Sequence, residues 1–267
     1  MRVRQPILLL AVTFTGCVHR AGQDRTLEDA PAWTTSAGRD EARLQMASSM
    51  LELGRPQEAL AVLAGARGES HDELAFDLLL ARAYLALGMA AEAGAILEPW
   101  DARRQAEPEL YRLLGLTRAD LQRPDEAEAA FRRAVQLDPD DYDTQNNLGF
   151  LLLVRGRPEE AVPVLRRALE LSPDEPRART NLGFALAAQG LDREALDVFR
   201  AIQPEALALT NMGLACERRG APEEALTWYR RALDIAPTQI AAAEAITRLA
   251  PSREPGSAPP PDHEVQP

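Results

Sequence analysis

The chain has 267 residues, 46% hydrophobic, 27% charged and only 5% aromatic, a balance that excludes a fully disordered chain and allows one large or two ordinary domains. With so few aromatics the core must come from Leu, Ala and Val, which favours close helix packing over a β-sandwich. The net charge of −11 argues against a nucleic-acid partner, and all 30 basic residues are Arg, which excludes a P-loop lysine, Schiff-base chemistry and lysine-based catalysis.

Residues 1–16 read as an export signal. Arg2 and Arg4 form a short basic start, and Ile7 to Phe14 is an apolar run too short for the roughly 20 residues that span a bilayer. Phe14-Thr15-Gly16-Cys17 resembles the lipobox of bacterial lipoproteins, although Phe14 stands where Leu is usual. That resemblance implies a lipidated Cys17 as the first mature residue; a small residue beside an ordinary secretory cleavage site is the plainer alternative. Val18 in place of Asp implies sorting to the outer membrane, facing the periplasm. Residues 17–39 are polar and predict a flexible tether between the lipid and the body.

A period of 34 residues then takes over. Gly115, Gly149 and Gly183 keep that spacing, as do Ala93, Ala127, Ala161 and Ala195, then Leu97, Phe131, Leu165 and Phe199, and the pair Pro139 and Pro173. The units are 40–73, 74–107, 108–141, 142–175, 176–205 and 206–239. Gly183 to Gly213 is only 30, so the fifth unit loses four residues after Phe199. Unit one is the weakest match, and unit two carries Trp100 where a small residue recurs elsewhere. Within unit four a helix is expected from about Thr144 to Arg155. Gly156-Arg157-Pro158 turns the chain, and a second helix runs to Leu171, where Ser172-Pro173 breaks it. Gly54, Gly88, Gly156, Gly190 and Gly220 share the turn position, where a left-handed backbone suits glycine. Pro163 sits inside the second helix and predicts a kink or a lost hydrogen bond. Ile240 to Leu249 reads as a capping helix within 240–250, and the Pro-rich 251–267 as a disordered tail.

Asn147-Leu148-Gly149 through Ala161, Leu165, Ala168 and Pro173 resembles the tetratricopeptide repeat (TPR). The resemblance implies an all-α fold: a right-handed α-solenoid of about six helix-turn-helix repeats over 40–250, with the cap included. It also implies a concave groove, lined by the first helix of each unit, that binds a protein or peptide partner. Register places Arg82, Arg112, Leu116, Asn146, Phe150, Leu153, Phe184 and Leu214 on that groove, the apolar ones forming a stripe for a partner segment. Packing of that stripe under the cap or against itself is the competing reading. Arg82 and Arg112 would meet acidic groups of a partner or be solvated. One TPR subfamily clamps a terminal carboxylate with Lys and Arg beside Asn; a chain without Lys departs from it.

Catalytic readings find no support. His19, His71 and His263 are far apart, and Cys17 and Cys216 are too few for a disulfide framework or a zinc site. No glycine-rich phosphate loop or nucleophile elbow occurs. Asp138-Pro139-Asp140-Asp141 reads as a solvated helix end rather than a calcium site, and Cys216 as a small core residue. The chain is therefore expected to be no enzyme and to carry no cofactor or metal.

Asn146-Asn147-Leu148-Gly149-Phe150 and Arg177-Ala178-Arg179-Thr180-Asn181-Leu182-Gly183 resemble the TadD lipoproteins of Tad/Flp pilus assembly. The implied function is a membrane-anchored scaffold that helps localise or assemble a pilus or secretion machine in the cell envelope. A pilotin-like lipoprotein of another envelope complex, or a general protein-interaction adaptor, shares the mechanism and differs in the partner. The sequence leaves the oligomeric state open.

Overall fold

The computed structural model describes residues 36–64 and 73–249. Among them are thirteen helices and no strand. In chain order they are α1 (Ser36–Glu52), α2 (Pro56–Ala64), α3 (Glu73–Ala86), α4 (Ala90–Ala102), α5 (Pro108–Asp120), α6 (Pro124–Leu137), α7 (Tyr142–Val154), α8 (Pro158–Leu171), α9 (Pro176–Ala188), α10 (Asp192–Arg200), α11 (Glu205–Arg218), α12 (Pro222–Ile235) and α13 (Ile240–Leu249). The expected signal, the Cys17 lipid site and the Pro-rich tail lie outside the described residues. The expected tether is shortened, because α1 opens at Ser36 rather than near residue 40.

The helices pair as six hairpins, α1/α2 to α11/α12, with α13 packed on the last. Local chemistry sets the ends. Pro108, Pro124, Pro158, Pro176 and Pro222 open their helices at the first turn, where a missing N–H costs nothing. Asp138, Ser172 and Ala236 take extended backbone before Pro139, Pro173 and Pro237, and each ends its helix. The five turn glycines all have φ between 70° and 79°. Unit three places Gln122 at the same point with φ 59°, a conformation glycine adopts at less cost.

Inside each hairpin a small residue on the first helix receives the large residue sixteen positions on. A Cβ built on Gly115, Gly149, Gly183 or Gly213 would stand 2.5 Å from Phe131, Leu165, Phe199 or Tyr229 respectively. The two N-terminal units solve the same problem with Ala47 beneath Leu63 and Ala81 beneath Leu97, all fully buried. An alanine spends the volume that an aromatic partner would need. Buried side chains form a continuous core over 127–245 and two smaller N-terminal clusters. Each hairpin thus buries its apolar face on its neighbours, as stacked repeats must. Trp100 lies within this scheme: its indole N–H donates to Asp77 on the preceding first helix at 2.8 Å.

Two local expectations take definite form here: Pro163 removes one hydrogen bond, and the fifth unit is short in its second helix. α8 runs unbroken through Pro163. Glu159, whose carbonyl loses its donor there, is an exposed residue, so water can take that bond. The short fifth unit appears as α10, nine residues against fourteen for α8 and α12. Arg200 spans the shortened turn with a forked pair to Glu205.

The cap is pinned by Glu217 on α11, which accepts from Arg248 of α13 and from the Tyr229 hydroxyl. Burial and then Glu217 push the Tyr229 phenol well above the ordinary value of about 10. A raised phenol pKa stabilises the fold below the unfolded-state value and loses that stability as pH rises past it. The chain has no Lys, so few other groups titrate there. Tyr229→Phe is expected to flatten the alkaline loss of stability above about pH 10, read by urea melts across pH. An alkaline limb as steep as wild type would disprove this role.

Candidate partner-binding face

The first helices α5, α7, α9 and α11 repeat one stripe at spacings of three, four and four residues, which is a single helix face. On α5 it is Glu109, Arg112, Leu116 and Asp120; on α7, Asp143, Asn146, Phe150 and Val154. On α9 it is Arg177, Thr180, Phe184 and Ala188; on α11, Leu207, Thr210, Leu214 and Arg218. The stripe stays largely open because the second helices cover the opposite side.

Its members differ in what they can offer. Phe150 and Val154 are 50% and 63% exposed, well above what an unengaged core residue shows. Leu116, Leu153 and Phe184 are half-buried and lean on the core, with Phe184 edge-on to Phe199 at 5.2 Å between ring centres. Leu214 is also half-buried. Asn146 departs from expectation. It is buried, and its side-chain oxygen accepts from Asn181 at 3.0 Å, so it fastens α7 to α9 instead of lining an open surface.

The two arginines expected to await acidic partner groups are already engaged. Arg112 forms a forked pair with Glu109 at 2.6 and 2.8 Å, and Arg82 approaches the same carboxylate at 3.9 Å. For Arg112 the carboxylate is one turn away on its own helix, and for Arg82 it comes from the next unit, so each has a counter-charge without a partner. The aspartates of 138–141 also have local work. Asp141 caps α7 through the N–H groups of Asp143 and Thr144, Asp138 accepts from the Asp140 N–H, and Asp140 pairs with Arg167. No metal-holding cluster of His, Cys, Asp or Glu occurs among the described residues. Cys216 is fully buried, and burial pushes its thiol pKa up, which leaves it an inert core residue. No helix among the described residues is long and apolar enough to cross a membrane.

At the C-terminal ends of α7, α9 and α11 the stripe deepens into a hollow of about 530 Å³. Leu153, Val154, Phe184, Ala188 and Ala215 form its wall, with Arg218 and Arg219 at the rim. Val154, Ala188 and Arg218 were not among the sequence-derived groove residues. The signal for them is present: each lies four residues beyond the ninth position of its unit, one turn further along the same face.

Family profiles described as tetratricopeptide repeat match residues 50–116, 108–141, 146–207 and 206–239. No curated protein sequence matches the chain. Among solved structures the backbone is similar to YrrB, described as a TPR protein with an unusual peptide-binding site. Identity is 26%, the TM-score 0.53, and the match covers 66% of this chain and 92% of that one. It is also similar to pilF of Pseudomonas aeruginosa, at 17% identity and TM-score 0.60 over 78% and 97% of the two chains. A chain of the APC/C hetero-tetramer Cut9–Hcn1 matches at 18% identity and TM-score 0.59, over 79% of this chain and 43% of that one.

Proposed function

Since this chain belongs to the tetratricopeptide-repeat family, we propose that it is an envelope scaffold which holds a partner polypeptide on the face of α5, α7, α9 and α11. The observation that carries this reading is the pair Phe150 and Val154, large apolar side chains left in water beside an apolar hollow. The peptide-binding site named for YrrB, a relative at 26% identity, supports the same use of the fold. Anchoring through a lipid on Cys17 at the outer membrane, and service to a pilus or secretion machine in the manner of TadD, complete the proposal. Their support is the lipobox-like Phe14-Thr15-Gly16-Cys17 and the TadD-like motifs around Asn146 and Asn181. One acyl chain holds a protein only marginally, so stable anchoring calls for the multiple chains a bacterial lipoprotein carries.

One preparation tests both halves. Full-length wild type, Cys17→Ala, Phe150→Asp and Val154→Asp are expressed with labelled palmitate, and partners are captured from membranes after crosslinking. Wild type is expected to carry label that Cys17→Ala lacks. Both groove variants are expected to keep the label and lose about tenfold or more of the captured partner, the cost of placing a carboxylate in an apolar contact. Unlabelled wild type overturns the anchor; undiminished capture by both groove variants overturns the face.

A further inference from the structure

Arg218 and Arg219 are consecutive and line the same hollow, yet only one is used by the fold. Arg219 donates to Asp192 at 2.8 Å, to Glu224 at 2.7 Å and to the Ala187 carbonyl at 2.7 Å. Arg218 is exposed, meets no carboxylate, and lies 5.1 Å above the Phe184 ring. Elsewhere along α3, α5, α7, α9 and the cap each guanidinium is engaged within the chain, Arg179 by the Pro173 carbonyl and the others by carboxylates. Arg82 and Arg112 share Glu109, Arg177 has Asp143, and Arg248 has Glu217. An unpaired guanidinium kept at the rim of an apolar hollow is therefore a selective feature of this face.

We infer that the hollow between α7, α9 and α11 is a subsite for an acidic side chain flanked by an apolar anchor on the partner segment. The inference rests on the partner-binding reading above and deepens it. Leu153, Val154, Phe184 and Ala215 take the anchor; the volume of about 530 Å³ falls within the roughly 300–1,000 Å³ typical of ligand sites. Arg218 takes the carboxylate. Its position over the Phe184 ring limits the conformations it must give up, and its planar fork suits two oxygens. The apolar wall excludes water from one side of that pair and strengthens it. The chain's net charge of −11 repels a polyacidic partner, so the carboxylate is read locally, in a segment that is neutral or basic overall.

The test selects a displayed random peptide library, presented internally, on the full chain and on R218E in parallel. Wild type is expected to enrich an acidic residue beside an apolar one, and R218E to lose the acidic preference and gain a basic one. A selected peptide in solution should then weaken about tenfold on wild type when its acid becomes the amide. That change should have no effect on R218Q, and an acid-to-Lys peptide should bind R218E better than wild type. Arg218 is exposed and tied to no carboxylate, so both variants should melt as wild type does. Apolar enrichment with no difference between wild type and R218E overturns the subsite and leaves the partner-binding face standing. No enrichment on either overturns both. Binding that depends on a free peptide C-terminus, with the internal acid dispensable, also overturns the subsite.

Discussion

Phe199→Ala is expected to lower the unfolding free energy by about 3–5 kcal/mol, as large-to-small changes at filled aromatic sites do. Phe199 is fully buried, packs edge-on against Phe184, and lies over the bare backbone of Gly183. The ring is held between Phe184, the Gly183 backbone and the continuous core. Gly183→Ala alone is expected to cost about 1–3 kcal/mol, since its Cβ would stand 2.5 Å from the ring. In the double variant the new methyl enters volume the ring has vacated, so the combined cost falls well below the sum of the two singles. Urea melts of all four proteins close the cycle. Stacked repeats need not melt as one unit, so hydrogen exchange should show the loss centred on α9–α12, with α1–α4 little changed. Additive single costs, or a Phe199→Ala loss under about 1 kcal/mol, would rule out the packing account.

Glu128→Ala is the second large effect, expected at about 2–3 kcal/mol. Glu128 is 12% exposed and accepts from three guanidiniums: Arg132 at 2.9 Å, Arg155 at 2.8 Å and Arg157 at 2.7 Å. Two of these belong to the α7–α8 turn, so the carboxylate clamps unit three to unit four. Its removal leaves three like charges crowded together with one counter-charge fewer. The arginines are 48%, 25% and 34% exposed and can turn to water, which keeps the cost below that of a fully buried pair. Glu128→Gln keeps the acceptor oxygen and loses the charge, and should fall between wild type and Glu128→Ala. Denaturant midpoints for both variants, in low and high salt, check this. A Glu128→Ala change within about 0.5 kcal/mol, the range of an ordinary surface substitution, would disprove the clamp.

The repeat was legible because it depends on residues whose physics is local or strictly periodic. Glycine at the turn, proline at the first helical position and small residues facing large ones sixteen positions on each carry one meaning wherever they occur. The register of the units followed, as did the short fifth unit, α10 and the cap at Ile240. The open face was only partly legible. Phe150 and the half-buried Leu116, Leu153, Phe184 and Leu214 came from register, while Val154, Ala188 and Arg218, at a position the register also turns to the groove, were not singled out. Arg82, Arg112 and Asn146 had the right position and turned out to be engaged within the fold.

The amino-acid sequence by itself determined that this protein is a stack of paired helices, where its recurring turns fall, and which side of each first helix the second leaves uncovered. Only the tertiary structure decided which polar groups on that side are already partnered. Asn146 meets Asn181 from the next unit, and Arg219 meets Asp192 some twenty-seven residues away, whereas Arg218 meets an aromatic ring and no carboxylate. Turn chemistry acts within a few residues of chain, but a charge is satisfied by whatever folding brings within a few ångströms of it.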